Sequence, residues 1–195
     1  IGGKEPRARR PAGEVGEPRT LYPAEGGRSR DRAAKPDAGD AARLDCLMPG
    51  DVVPSGEAPR VANVPFRISC EVETDQRDAI LVAHGGVAVG YALHLKGGRA
   101  VFSVRTGAGD AVAEISSPET IAGRVKISAG LGGDGAMTLS VDDRVVASGK
   151  ATGLIRRQPQ EDFCDGHDAA KPVTAYAAKG PFVGTIRGLE VETAQ

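Results

Sequence analysis

From residue 66 onward the chain alternates between apolar and polar positions. Phe66, Ile68, Cys70 and Val72 fall on one side of the 66–74 stretch, and Arg67, Ser69, Glu71 and Glu73 on the other. A period of two marks a half-buried strand. Residues 79–84 (AILVAH) are a short apolar run ended by Gly85-Gly86. In 89–96, Tyr91, Leu93 and Leu95 alternate with Ala92, His94 and Lys96. Gly97-Gly98 then supplies a tight hairpin turn into 100–106. Gly107 to Asp110 turns the chain again before a weaker strand at 111–116. Val125, Ile127 and Ala129 define a strand over 123–129. The clearest unit is the hairpin at 132–150. There Met137, Leu139 and Val141 oppose Thr138 and Ser140, Asp142-Asp143 forms the turn, and Arg144 to Ala147 returns. In the last strand, 182–192, Phe182 and Ile186 share one phase and Leu189 and Val191 the other. A bulge at Gly188 reconciles them.

Roughly nine short strands, Gly-rich turns and almost no helical pattern predict an all-β fold. The expected architecture is an antiparallel β-sandwich of the jelly-roll kind, with the strands at Phe66 and Val191 as neighbours. Elsewhere the alternation fails. Residues 1–47 are built from Gly, Pro, Ala, Arg and acids and read as a disordered or linker-like tail, with the sandwich starting at 48. Within the tail, Leu21-Tyr22 is a small apolar anchor, and 37–47 suits a helical turn or two with Asp40 as N-cap. Residues 48–65 are punctuated by Pro49-Gly50, Pro54, Pro59 and Pro65 and read as an extended approach segment. Residues 153–181 are polar and irregular, with Phe163, Val173 and Tyr176 as anchors.

A length of 195 residues holds one domain plus a tail. The net charge of -1 gives no global attraction to nucleic acid or to an anionic membrane. Glu5, Glu14 and Glu17 offset the basic run from Lys4 to Arg10. No apolar run is long enough to span a membrane. The chain begins with Ile1 and has no apolar signal core, so it reads as a processed or partial product. Three cysteines cannot build a disulfide framework. Cys70 falls on an apolar strand face and reads as a core residue, whereas Cys46 and Cys164 either pair or stay free.

Chemistry-bearing patterns are few. Glu71, Glu73 and Asp75 recur at alternate positions, a geometry open to paired carboxylates for glycoside hydrolysis, but a plain solvent face gives the same pattern and no catalytic residue is expected. Asp162, Asp165 and Asp168 recur every three residues around Gly166, a hard-oxygen pattern that suits Ca²⁺ or, more simply, an Asx-stabilised turn. His167 with Cys164 gives too few ligands for structural zinc. His84 and His94 have no visible Ser or Cys partner, so no catalytic triad is expected. With no Trp, the rings able to stack on a sugar are Tyr22, Tyr91, Phe163 and Tyr176. Of these, Tyr91 and Tyr176 are the candidate ligand-binding residues.

The motif order also resembles a known family. The stretches are Val53 to Pro59, Ile80 to Lys96, Gly98 to Phe102, Thr138 to Gly149, Asp165-Gly166-His167-Asp168 through Pro172-Val173, and Phe182 to Ile186 leading to Leu189-Glu190-Val191. In that order, over roughly 140 residues, they resemble the non-catalytic C-terminal domain of bacterial arylsulfatases, a concanavalin A-like (laminin G-like) sandwich. The resemblance implies an accessory domain that packs in cis on a sulfatase catalytic domain in a periplasmic or secreted parent. The sulfatase motif Cys/Ser-x-Pro-x-Arg is absent: in Cys46-Leu47-Met48-Pro49-Gly50 the proline comes one place too late and no arginine follows. The alternative reading is a carbohydrate-binding module or lectin-like domain whose partner is a glycan.

Overall fold

Each expected strand forms. The computed structural model describes residues 2–3, 42–44, 46–168, 171–176 and 178–194, and among them there is no helix. The chain divides into units 1–35 and 36–195, and the sandwich belongs to the second. Twelve strands build it: β1 (Ala42–Arg43), β2 (Val52–Val53), β3 (Phe66–Glu73), β4 (Ala79–Gly85), β5 (Gly90–Lys96), β6 (Arg99–Arg105), β7 (Ala113–Ser116), β8 (Arg124–Leu131), β9 (Ala136–Val141), β10 (Arg144–Lys150), β11 (Phe163–Asp165) and β12 (Thr185–Thr193). One sheet has the order β1-β12-β3-β8-β9-β10 and the other β2-β11-β4-β5-β6-β7. Every pairing is antiparallel.

Register turns the alternation into a core. In the first sheet Phe66, Ile68, Cys70 and Val72 stand opposite Leu131, Ala129, Ile127 and Val125. The apolar rows of β3 and β8 therefore lie side by side and face the second sheet. Ile68 also stands opposite Val191, which makes the strands of Phe66 and Val191 neighbours. The β12 register slips between Arg187 and Glu190, and Gly188 takes a positive φ of 57° there, the bulge that the phase change in the sequence requires. Both tight hairpins have positive φ at their two central residues: 48° and 61° at Asp142 and Asp143, and 60° and 83° at Gly97 and Gly98. That backbone matches the twist of the flanking strands.

The sequence missed three strands. Residues 48–65 are not only an approach segment, because Val52–Val53 pairs with β11. Residues 153–181 are not wholly irregular, because Phe163–Asp165 bonds β2 on one side and β4 on the other. Ala42 and Arg43 pair with Val191 and Glu190, so no helical turn forms at those two residues. Two- and three-residue strands carry no periodicity of their own; their neighbours define them. Residues 4–41, which hold the rest of the expected tail, the Leu21-Tyr22 anchor and the Tyr22 ring, lie outside the described residues.

Candidate functional site

The outer faces of the two sheets differ. That of the first sheet is open, with Arg67, Glu71, Glu73, Arg124 and Lys126 all exposed. That of the second sheet is covered in part by residues 171–176 and Ala178, a strap laid across β4, β5 and β6. Val173 is its anchor, fully buried in a small apolar cluster with Ile80, Ala83 and Ala92, and Tyr176 and Ala178 pack against the same cluster. Arg105 clamps the strap by donating from Nη2 to the Val173 carbonyl at 3.2 Å.

Polar groups under the strap form one chain. His94 Nε2 lies 3.0 Å from Ser103 Oγ, and the Ser103 hydroxyl donates to Glu114 Oε1 at 2.9 Å. The Thr174 hydroxyl of the strap donates to the same oxygen at 2.8 Å. Ser103 has one hydroxyl proton, which goes to Glu114, so the His94 Nε2–H is the donor to Ser103. Burial pushes the His94 imidazole down to about 4, and the ring is neutral at neutral pH. The Tyr176 ring packs edge-on against it at 5.2 Å.

Beside the strap lies an open groove of about 530 Å³ lined by Lys96, Gly97, Arg99, Val101, Glu114, Ile115 and Ser116. Cross-strand register places Lys96 opposite Arg99, Val101 opposite both His94 and Ser116, and Ser103 opposite Glu114. Val101 supplies an apolar floor, and Glu114 a carboxylate. Lys96 and Arg99 are exposed and make no ion pair among the described residues. A second groove, of about 430 Å³, runs along Glu73 to Gln76, Gly123 and Val183-Gly184. Two of its polar side chains are already used: Thr74 donates to the Val183 carbonyl and Gln76 to the Pro181 carbonyl, while Val183 N–H donates to Gln76.

Several expected site residues stand elsewhere. Tyr91 is fully buried between the sheets, its ring 4.7 Å from that of Phe66 and its hydroxyl 3.2 Å from His84 Nδ1. Its alternation with Leu93 and Leu95 places it in the core and removes it as a stacking platform. Tyr176 is half-buried on the strap, its phenol pushed up by burial and by nearby Asp168. The three aspartates do not share one loop. Asp162 is exposed and accepts from Ser55 N–H at 2.9 Å. Asp165, at the end of β11, is 1% exposed, and neither carboxylate oxygen has a hydrogen-bond partner among the described residues. The short strand between them breaks up the spacing of three. No group of three or more His, Cys, Asp or Glu side chains among the described residues is placed to hold a metal ion.

The remaining patterns resolve simply. Glu73 pairs with Arg124 at 3.2 Å, and Asp75 lies past the end of β3, so the alternating acids do not form one row. His94 does have a serine partner, contrary to the sequence reading, but it is buried under the strap. Cys70 is a core thiol, pushed up to about 12 by burial and then by Asp165, and neither Cys46 nor Cys164 forms a disulfide among the described residues. The sequence did not single out the groove. Lys96 and Arg99, two cations flanking a Gly-Gly turn, were its legible signal.

No family model matches the chain, and no curated protein matches it. Solved structures do resemble it. The CBM40 domain of the Ruminococcus gnavus IT-sialidase, bound to α2,3-sialyllactose, is 17% identical with a TM-score of 0.59, over 78% of this chain and 90% of that one. Domains LG4-5 of the mouse laminin α1 chain are 18% identical with a TM-score of 0.55, over 80% of this chain and 40% of that one. The LG1-3 region of the laminin α2 chain is 14% identical with a TM-score of 0.54, over 80% and 32%. The present chain thus spans less than half of either laminin structure. These likenesses show a laminin G-like, concanavalin A-like fold. Nothing among them ties the chain to arylsulfatases.

Proposed function

We propose that this domain is a glycan-binding module and that the groove beside the strap is its recognition surface. The pair Lys96 and Arg99 carries the reading: two exposed cations with no acidic partner among the described residues, set over the buried side chain of Val101 and next to Glu114. Sugars are recognised by such mixtures, with cations for carboxylate or sulfate, a carboxylate for hydroxyls, and an apolar floor for the C–H face. A structural neighbour bound to sialyllactose supports the choice of an acidic sugar. The role of a non-catalytic accessory domain packed in cis on a sulfatase has no support from the comparisons and yields to the glycan reading. No step in this proposal uses Ca²⁺.

The test is a panel of sialylated, sulfated and neutral oligosaccharides measured by calorimetry against the full chain and the Lys96→Ala/Arg99→Ala double variant. Binding of an acidic sugar that weakens at least tenfold in the variant supports the reading. A panel that stays blank, or binding indifferent to both cations, overturns it.

A further inference from the structure

We propose that Glu114 is the ligand-contacting carboxylate of the groove, held in place by Ser103 and Thr174 with His94 behind them. This rests on the glycan reading and assigns parts within it. Both hydroxyl donors converge on one oxygen, Oε1, at 2.9 and 2.8 Å. A carboxylate offers about four acceptor positions over its two oxygens. Oε2 takes no hydrogen bond among the described residues, and Glu114 lines the groove. The side chain is thus fixed through one oxygen and open through the other.

The donors are fixed too. Ser103 is fully buried and His94 is 1% exposed, so neither reorients into water. Thr174 sits next to Val173, the buried anchor of the strap. A free glutamate loses up to about 2 kcal/mol of rotamer entropy when ordered. Here that cost is met in the folded state, so a sugar hydroxyl meets a preorganised acceptor. The strap therefore reaches the groove through Thr174 and helps to set what binds there. The fitting ligand class is an acidic sugar whose anion reaches Lys96 and Arg99 while a neighbouring hydroxyl donates to Glu114.

Two substitutions separate the ligand role from the structural one. Glu114→Gln retains a carbonyl oxygen for Ser103 and Thr174 but turns the open acceptor into an NH₂ donor. Thr174→Val keeps the shape and loses the hydroxyl, and Thr174→Ser restores it. With α2,3-sialyllactose and lactose 3-sulfate as probes of the full chain, the affinity of whichever binds is expected to fall about tenfold in Glu114→Gln, about 1.4 kcal/mol. It is expected to fall severalfold in Thr174→Val and to recover in Thr174→Ser. Loss of binding in Lys96→Ala/Arg99→Ala, with Glu114→Gln and Thr174→Val unchanged, would leave the groove standing and overturn the role of Glu114. Equal losses in Thr174→Val and Thr174→Ser, with faster amide exchange over 172–176, would reduce Thr174 to a structural clasp and overturn the positioning role. Failure of both probes to bind the parent chain would overturn it together with the acidic-sugar reading.

Discussion

The two sheets bury their inner faces alike and differ on the outside. β3 in the first sheet alternates buried and exposed positions along its whole length, whereas all seven residues of β4 in the second are buried. An antiparallel sheet with one wet face writes its geometry into the sequence as alternation; a strand covered on both faces reads as a continuous apolar run. AILVAH was such a run. Its two-sided burial is evidence that something lies on top, and that cover is the strap. The cover also changes what polar side chains can do. Glu73 and Arg124, on the open face, meet water and each other. His94 and Ser103, on the covered face, are buried from water and bond to each other, and the Ser103 hydroxyl donates in turn to Glu114 at the exposed edge.

Acid should break this comparison most strongly. Burial holds His94 at about 4 and His84, inside the core, at about 3. An unfolded imidazole takes a proton below about 6.5, and the folded ones refuse it until well below that. Each histidine therefore contributes stability that is full above 6.5 and is lost as pH falls toward its folded value. Asp165 runs the other way. Burial, then Asp51, lifts it to about 6, so its carboxylate weakens the fold above that pH and ceases to do so as pH falls. Two histidines outweigh one carboxyl, and unfolding free energy from urea titrations is expected to drop by about 3 kcal/mol between pH 6.5 and pH 4. His94→Gln should make the fall clearly shallower. A variant with the same pH profile as the parent would show that His94 is not one of the groups responsible.

The strap anchor comes next in size. Val173 is fully buried against Ile80, Ala83 and Ala92. Val173→Ala is expected to cost about 2 kcal/mol in the same urea assay, the scale of a buried valine side chain. Amide exchange should quicken over 171–176 before it quickens in β3 or β8. Uniform quickening across both sheets would mean that the strap is no separate layer and that the core unfolds with it.

How much of this was legible depends on how long each pattern runs. Strands with several alternating positions, such as β3, β5 and β9, stood out because each carried three or more apolar residues in phase. β1, β2 and β11 are too short for a period, and only their partners define them. The strap could not be read at all: Val173 and Tyr176 looked like isolated anchors, and the surface they cover is assembled from β4, β5 and β6. His94 was placed correctly on the polar side of its strand, but polar does not mean wet when a distant segment folds over it. Tyr91 shows the opposite error. Its phase with Leu93 and Leu95 already placed it in the core, and the scarcity of rings gave it a weight that its position did not support.

The smallest effect tests the open face. Glu73 and Arg124 form an ion pair at 3.2 Å with side chains 53% and 55% exposed. Water already solvates both partners, and two long side chains lose freedom to hold one geometry. Arg124→Ala is therefore expected to change stability by less than about 0.5 kcal/mol in urea. Register adds a reason for tolerance: Arg124 is the first residue of β8, at the end of the ladder opposite Glu73, so losing it leaves the rows of Val125 and Ile127 intact. A loss of more than about 1 kcal/mol would mean that this face too is covered, by a partner or by another part of the chain. The contrast between a wet sheet and a covered one would then need to be redrawn.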